Sequence, residues 1–190
     1  MDAVTKQLTP RERILKTVDC LFYEQGYLAT GINQIIAEAQ VAKASFYQHF
    51  PSKESLVLEY LKVRNTEFLN HIKQVEKQFS EPKAKILALF DDLADCAKQT
   101  EYRGCFFVNL TAEFSQPESK PRQLIARFKI ELKTHIEQLA LKALPDDNDS
   151  SLLIATTIYL LYEAALLETR IHHDLWPIEV SKAVTNRLLS

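Results

Sequence analysis

Residues 43–53 concentrate side chains that can hydrogen-bond to nucleic acid within a short helical pattern. Phe46 and Phe50 are four residues apart, so they share one helix face and are expected to point into a core. The opposite face carries small, polar or charged side chains, namely Lys43, Ala44, Ser45, Tyr47 and Gln48. Glutamine can hold adenine through two hydrogen bonds in the major groove, and an alanine methyl group suits thymine. This face therefore predicts a surface that reads base edges.

A second short helical pattern precedes this one, and a tight turn at residues 39–42 joins the two. Its apolar positions are Ile32, Ile35 and Ile36. Two short helices with polar residues on the second are typical of a helix-turn-helix motif, whose second helix enters the major groove. Pro51 ends the second helix, and Ser52 can cap a third.

This N-terminal part of the chain resembles the DNA-binding domain of the tetracycline-repressor (TetR) family. The resemblance rests on Gly26, Tyr27 and Thr30, on the isoleucine-rich helix, and on the segment QVAKASFYQHFPSKE at residues 40–54. Three residues depart from the family pattern, which commonly has glycine or serine there: Gln40, Ala42 and Ala44. A residue other than glycine is disfavoured in the left-handed region, so Gln40 argues against a left-handed turn at that position. Beyond about residue 60 the resemblance is limited to the helix pattern.

The resemblance implies an all-α fold of about nine helices. It places a helix-turn-helix DNA-binding domain at residues 1–51 and joins it by a long helix to an effector-binding and dimerisation domain at residues 52–190. Phosphate contacts are implied for Thr30, Tyr47, His49 and Lys53. Lys53 would bring charge to a helix N-terminus, where free N–H groups already favour an anion. His49 can instead pack beside Phe50.

Base contacts are predicted for Ala44, Ser45 and Gln48, with help from Gln34. Two further residues are predicted near the DNA backbone or the base edges, Asn33 and Lys43. The alternative for Gln48 is a solvated surface residue without a role in readout.

The composition bounds the class of protein. The chain has 190 residues, 46% of them hydrophobic, and only three glycines, which favours an all-α fold. A net charge of −2 argues against a polycation that coats nucleic acid non-specifically. Three cysteines without a CxxC motif fit a reducing cytosol, and residues 1–10 lack the apolar core of a secretory signal. The apolar run at residues 152–167 is shorter than the roughly 20 residues of a membrane span, so a cytoplasmic protein that does not bind a membrane is predicted.

Helix signals recur along the chain. Thr9 and Glu12 predict a capping box at the start of the first helix. A long helix is predicted from Ser52 to about Phe79. The last two helices are predicted at residues 151–170 and 177–189, and the first of them is apolar on nearly all sides. They can complete a monomer core or, as the family resemblance implies, pair with a second copy in a four-helix homodimer interface.

The second domain carries polar residues in apolar company. Cys105, Asn109 and Glu113 fall four apart, and Tyr159 and Glu163 repeat that spacing on a later helix. Such groups need partners, so they either satisfy one another internally or face a ligand cavity. Because the resemblance implies a small-molecule effector, we predict that they line its cavity. Its walls are predicted to include Phe90, Phe107, Tyr162 and Trp176.

Other chemistries find less support. Beyond Arg103, no basic residue lies near Cys105 in sequence to activate it as a redox sensor. His172 and His173 with Glu168 have metal-ligand spacing, but loop histidines are commoner, so we predict no metal and no cofactor. The sequence lacks Glu-x-x-His, HExxH, GxSxG and a glycine-rich phosphate loop, which argues against an enzyme.

The sequence thus predicts a non-enzymatic, homodimeric transcriptional regulator of a pseudo-palindromic double-stranded DNA operator. It is predicted to be a repressor that is relieved by a small, largely apolar effector. The alternative is a helical-bundle enzyme or a cysteine-based redox sensor that uses the same part of the second domain.

Overall fold

The computed structural model describes residues 8–144 and 149–190 of the chain. Within these ranges the protein is all helical, as predicted. Its nine helices are α1 (Pro10–Glu24), α2 (Ile32–Glu38), α3 (Lys43–His49), α4 (Lys53–Glu76), α5 (Pro82–Gln99), α6 (Phe106–Ala112), α7 (Lys120–Leu141), α8 (Asp149–His172) and α9 (Trp176–Leu188).

The chain divides into two compact units that are discontinuous in sequence. Unit 1 comprises the described residues up to Arg64 together with Leu110–Ile125, and unit 2 comprises Asn65–Asn109 and Ala126–Ser190. Helices α4, α6 and α7 therefore contribute residues to both units. Sequence patterns had not indicated that residues 110–125 belong with the N-terminal helices.

Unit 1 is built on α1, against which α2 and α3 pack. The helix begins with the predicted capping box: the Thr9 hydroxyl accepts from the Glu12 amide at 3.3 Å, and the Glu12 carboxylate accepts from the Thr9 amide at 2.8 Å. The core of this unit is formed by fully buried apolar side chains, including Ile14, Val18, Ile35, Phe46, Leu56, Val57 and Leu61. These residues fix the orientation of the short helices α2 and α3.

The turn between α2 and α3 departs from the expectation. Gln40 adopts φ 52°, so the left-handed turn that the non-glycine residue argued against is present. The Gln40 amide bonds to the Ala37 carbonyl at 3.2 Å, and the Val41 amide bonds to the Ile36 carbonyl at 3.2 Å. These two bonds satisfy carbonyls at the end of α2 and offset the cost of the strained residue. Ala42 begins α3 without a side-chain cap, as its methyl group requires.

Helix α4 starts one residue after Ser52, which caps it as predicted. The Ser52 hydroxyl accepts from the Ser55 amide, and the Ser55 hydroxyl accepts from the Ser52 amide, both at 3.0 Å. The helix ends at Glu76, earlier than the predicted limit at Phe79, and Phe79 is 41% exposed. The continuous helix still runs from unit 1 into unit 2.

Unit 2 packs α5, α8 and α9 around one apolar core. The core includes Ile86, Leu89, Phe90, Ile136, Ala155, Ile158, Tyr162 and Ile178. Helix α8 nevertheless presents a row of large apolar side chains to solvent, among them Leu153, Leu160, Leu167 and Ile171. Helix α9 exposes Trp176, Val180 and Val184 in the same way.

Helix α8 is longer than the sequence indicated. It has 24 residues, and by length and composition alone it is long and apolar enough to cross a membrane, a test that the core helix of a soluble protein also passes. The prediction that this segment is too short for a span was therefore wrong on length. Only 28% of its most apolar window is buried, and Leu153, Leu160 and Leu167 remain exposed within the described chain.

Candidate nucleic-acid interface

Helix α3 has the two faces that its sequence predicts. Phe46 is fully buried and Phe50 is 2% exposed, and their ring centroids are 6.1 Å apart. The other face is exposed at Lys43, Ala44, Tyr47, Gln48 and His49, with Ser45 partly exposed beside them. The aromatic pair therefore anchors the helix in unit 1 and leaves its polar side chains available for a ligand.

Helix α2 contributes less free polar surface than predicted. Asn33 is exposed, but the Gln34 amide is held between two neighbours. Its oxygen accepts from Gln25 Nε2 at 2.9 Å, and its nitrogen donates to Glu38 Oε1 at 2.9 Å. These two bonds restrain the orientation of the Gln34 side chain.

Thr30 is fully buried, which corrects its predicted role as a phosphate contact. Its hydroxyl donates to the Gly26 carbonyl at 2.6 Å and accepts from Gln25 Nε2 at 3.0 Å. Both hydrogen-bonding directions of the hydroxyl are used inside unit 1. The Thr30 side chain therefore holds the turn between α1 and α2 and offers no exposed hydroxyl to a phosphate.

Lys53 lies in the first turn of α4, and its ammonium nitrogen is 4.2 Å from the centre of the Tyr27 ring. Such a position is favourable for a cation over an aromatic face. Partial burial lowers the pKa of Lys53, and the nearby Glu113 carboxylate opposes that shift. Burial, with Glu54 and Glu113, raises the pKa of Tyr27. The Lys53 ammonium group thus lies at the end of α4 where a phosphate contact is predicted.

Glu113 binds backbone amides of the turn after α1, a contact that sequence patterns did not indicate. It was predicted to line an effector cavity, but its carboxylate accepts from the backbone amides of Tyr27 at 3.0 Å and Leu28 at 2.6 Å. Gly26 precedes them with φ 90°, and a Cβ atom there would lie 2.9 Å from Glu113 Oε1. The bonds join residues more than eighty positions apart, so no local pattern can indicate them. Glu113 holds the turn that leads into the helix-turn-helix.

In unit 2, three of the predicted effector residues lie around the ammonium group of Lys129. They are Cys105, Tyr159 and Glu163. Lys129 Nζ lies 2.7 and 2.8 Å from the two Glu163 carboxylate oxygens and 3.4 Å from the Cys105 sulfur. Burial lowers the pKa of Lys129, but the charges of Cys105 and Glu163 more than offset this, so its pKa is raised. Burial and Glu163 raise the pKa of Tyr159 beside the group. Lys129, which the sequence analysis missed, is therefore a protonated partner for these residues.

The aromatic residues predicted to form the cavity wall lie at several different places in unit 2. Phe90 and Tyr162 are buried in the unit 2 core, with ring centroids 5.7 Å apart. Phe107 packs on Phe128 at 5.9 Å. Trp176 is 46% exposed and its ring lies 5.4 Å from that of His172, so its place in a cavity wall stays a prediction.

Asn109 is the remaining predicted cavity residue in unit 2. Its Nδ2 atom donates to the Arg103 carbonyl at 2.9 Å, and its Oδ1 atom is buried without a partner. A buried acceptor of this kind can receive a hydrogen bond from a ligand.

The candidate metal ligands were also located. His172 Nε2 lies 3.2 Å from Glu168, as the helical spacing predicts, but both side chains are exposed and no further ligand accompanies them among the described groups. A different group, made of His71, Asp92 and Cys96, brings three possible ligand atoms within 4.8 Å of one another. Sequence inspection missed it because His71 lies on another helix.

Comparison with known proteins identifies the N-terminal part directly. Residues 14–60 match the family model described as bacterial regulatory proteins, tetR family. The transcriptional regulator LmrA of Bacillus subtilis is 34% identical over 109 residues, which are 57% of this chain and 49% of LmrA. For the curated relatives YerO, LmrA and YxaF of Bacillus subtilis and a regulator of Lactococcus lactis, the matched part spans 32% to 66% of the relative's length.

Two solved structures share the fold over nearly the whole chain. SCO4454, a TetR-family regulator from Streptomyces coelicolor, aligns with a TM-score of 0.85 at 23% identity, covering 95% of this chain and 94% of its own. The reduced form of Escherichia coli NemR aligns with a TM-score of 0.81 at 22% identity, covering 95% and 97%.

The buried aromatic anchor and the exposed polar face of α3 give unit 1 the form of a helix-turn-helix domain. Residues 14–60 match the domain model of the TetR family, and the fold of the chain is that of solved TetR-family regulators.

Proposed function

We propose that this regulator is a homodimeric repressor that binds a pseudo-palindromic operator in the cytoplasm and releases it when a small effector binds to unit 2. The observation that carries the DNA-binding part is the exposed face of α3. Five side chains there are open to solvent while Phe46 and Phe50 are buried: Lys43, Ala44, Tyr47, Gln48 and His49. Side chains held in this way can approach base edges in the major groove.

Support for dimerisation comes from the exposed apolar side chains of α8 and α9. Leu153, Leu160 and Leu167 repeat every seven residues along α8 and are 68%, 58% and 48% exposed. A stripe of this period suits packing against another helix. Two copies would place two α3 helices about 34–36 Å apart, or a multiple of that distance, to match successive major grooves.

The operator test uses the DNA upstream of the gene and of its divergent neighbour. Fluorescence anisotropy at several stated salt concentrations is expected to show one dimer bound to a two-fold symmetric site. A half-site duplex is expected to bind far more weakly. Equal affinity for the half-site and the full site would contradict the dimeric proposal.

The effector is proposed to be small and largely apolar, with a polar group that reaches Asn109. Support comes from the unpaired buried Oδ1 atom of Asn109 and from the aromatic pair Phe107 and Phe128 in the same unit. A panel of hydrophobic compounds is screened by thermal shift on the wild type. Asn109→Leu is expected to lose the shift of a true effector, with Asn70→Leu at an exposed position as the control. An unchanged shift in Asn109→Leu would place the effector elsewhere.

A second candidate function, sensing of oxidants by Cys105, is favoured by one contact. The Lys129 ammonium group lies 3.4 Å from the Cys105 sulfur, which supplies the positive neighbour that the sequence alone did not offer. Reactive cysteines occur in such surroundings. Hydrogen peroxide would oxidise the thiol to a sulfenic acid and be reduced to water.

The two candidate functions are separated by operator binding before and after peroxide treatment. If Cys105 is the sensor, the wild type loses affinity and Cys105→Ser does not, while Cys20→Ser behaves like the wild type. A loss that is equal in the Cys105→Ser variant would exclude this mechanism.

A further inference from the structure

Helices α4 and α5 bring a histidine, a carboxylate and a thiol together within unit 2. His71 Nε2 lies 2.8 Å from Asp92 Oδ1, and the Cys96 thiol lies 3.9 Å from Asp92 Oδ2. Asp92 and Cys96 are four residues apart on α5, so both side chains point to the same side of that helix. His71 reaches the pair from α4.

The spacing of these atoms is close to that of a metal site. All three possible ligand atoms lie within 4.8 Å of one another. Tetrahedral zinc has bonds of about 2.0–2.3 Å to nitrogen, oxygen and sulfur, which separates its ligand atoms by roughly 3.3–3.8 Å. Small side-chain rotations would therefore bring the three atoms into the coordination shell of one ion.

The surroundings also favour a cation. The negative charges of Asp92 and Asp95 both act on the Cys96 sulfur. The His71 side chain is 48% exposed, which gives an ion an open path from solvent. As an ordinary ion pair at this exposure, His71 and Asp92 would contribute little to stability.

We propose that His71, Asp92 and Cys96 bind a divalent transition metal of the zinc class, with the fourth position taken by water. The mixed nitrogen, oxygen and sulfur ligands suit zinc or cobalt better than magnesium or calcium, which prefer oxygen alone. The bound ion would join α4 to α5.

The test uses the full-length, metal-free protein titrated with Co²⁺, followed by competition with Zn²⁺. We expect one Co²⁺ per chain, with a sulfur-to-cobalt charge-transfer band in the near ultraviolet that Zn²⁺ abolishes. Cys96→Ser is expected to lose this band. His71→Gln, at an exposed position that tolerates substitution, is expected to weaken Co²⁺ affinity at least about tenfold.

Two variants serve as matched controls. Cys105→Ser removes another partly exposed thiol, and His172→Gln removes another histidine paired with a carboxylate. Both are expected to retain the band and the affinity of the wild type. Absence of the band in the wild type, its persistence in Cys96→Ser, or its loss in Cys105→Ser would overturn the proposal and leave the group as an ion pair with a neighbouring thiol.

Discussion

Glu113 is a single residue whose carboxylate holds the turn leading into the helix-turn-helix. It accepts the Tyr27 and Leu28 amides at a turn where Gly26 has a positive φ. Glu113→Gln keeps the size of the side chain but replaces one acceptor with an NH₂ group that cannot accept. We expect a loss of roughly 1–3 kcal/mol in the free energy of unfolding, because one amide loses its partner.

Urea denaturation monitored by circular dichroism measures this loss. Glu118→Gln provides the matched control, since Glu118 is an exposed glutamate in the same segment. Gly26→Ala is expected to destabilise as well, because its methyl group would meet Glu113 Oε1 at 2.9 Å in a conformation that alanine disfavours. If Glu113→Gln and Glu118→Gln unfold alike, the carboxylate does not support the turn.

Gln48 and Lys53 are expected to fail differently when each is replaced by alanine. Gln48 lies on the exposed face of α3, so its loss should cost roughly 1–3 kcal/mol on the operator and relax the preference at one base pair. Lys53 lies at the N-terminus of α4, so its loss should weaken all sequences alike and reduce the salt slope by about one unit.

Binding to the operator and to random DNA across a salt series measures both effects. Equal losses on operator and random DNA for Gln48→Ala would assign that residue to the solvated surface. An unchanged salt slope for Lys53→Ala would show that its ammonium group serves the Tyr27 contact and not a phosphate.

Single residues also show where sequence reasoning succeeds and where it stops. The burial of Phe46 and Phe50 was predictable because their four-residue spacing places both on one face of the same helix. Glu113 and Lys129 were not, because their partners lie far away in sequence and only the tertiary fold brings them together. Thr30 was misjudged for the same reason, since the resemblance gave its identity and not its burial.

At the scale of elements, caps and stop signals predicted helices well. The capping box at Thr9 and the serine pair at the start of α4 depend on residues within one turn, so sequence can reveal them. The end of α4 and the length of α8 depend on packing, and both were misplaced by several residues. The left-handed Gln40 shows that hydrogen bonds to neighbouring carbonyls can outweigh a local preference.

The exposed stripe on α8 gives a prediction at the same scale. Leu160→Glu places a charge in the middle of the proposed interface, where it would have to be buried without a partner, so the dimer is expected to dissociate into folded monomers. Light scattering after size-exclusion chromatography measures the mass. Ile130→Glu, at a 61% exposed position on α7, should remain dimeric. A dimeric Leu160→Glu would show that α8 does not form the interface.

At the scale of the whole molecule, the two units share three helices. Sequence patterns suggested a single domain boundary near residue 51. In the structure, α4, α6 and α7 each contribute residues to both compact units. Helix α6 itself contributes Phe106 to Asn109 to unit 2 and Leu110 to Ala112 to unit 1, and Glu113 follows directly. A change at Asn109 therefore needs only one turn of backbone to reach the residue that holds the Gly26 turn.

This continuity predicts that effector and operator binding are coupled. An effector that bonds to Asn109 would shift α6 and draw Glu113 away from the Tyr27 and Leu28 amides, which would release the turn before α2. Coupling of roughly 1–3 kcal/mol would change operator affinity about 5- to 150-fold. Thermodynamic linkage requires that operator DNA change effector affinity by the same factor.

Isothermal titration of a compound found by thermal shift, with and without saturating operator, measures both affinities. Glu113→Gln should bind the compound as the wild type does when DNA is absent, yet show a smaller coupling factor. If the coupling factor of Glu113→Gln equals that of the wild type, the signal reaches unit 1 by another route, with α4 as the remaining helix to test.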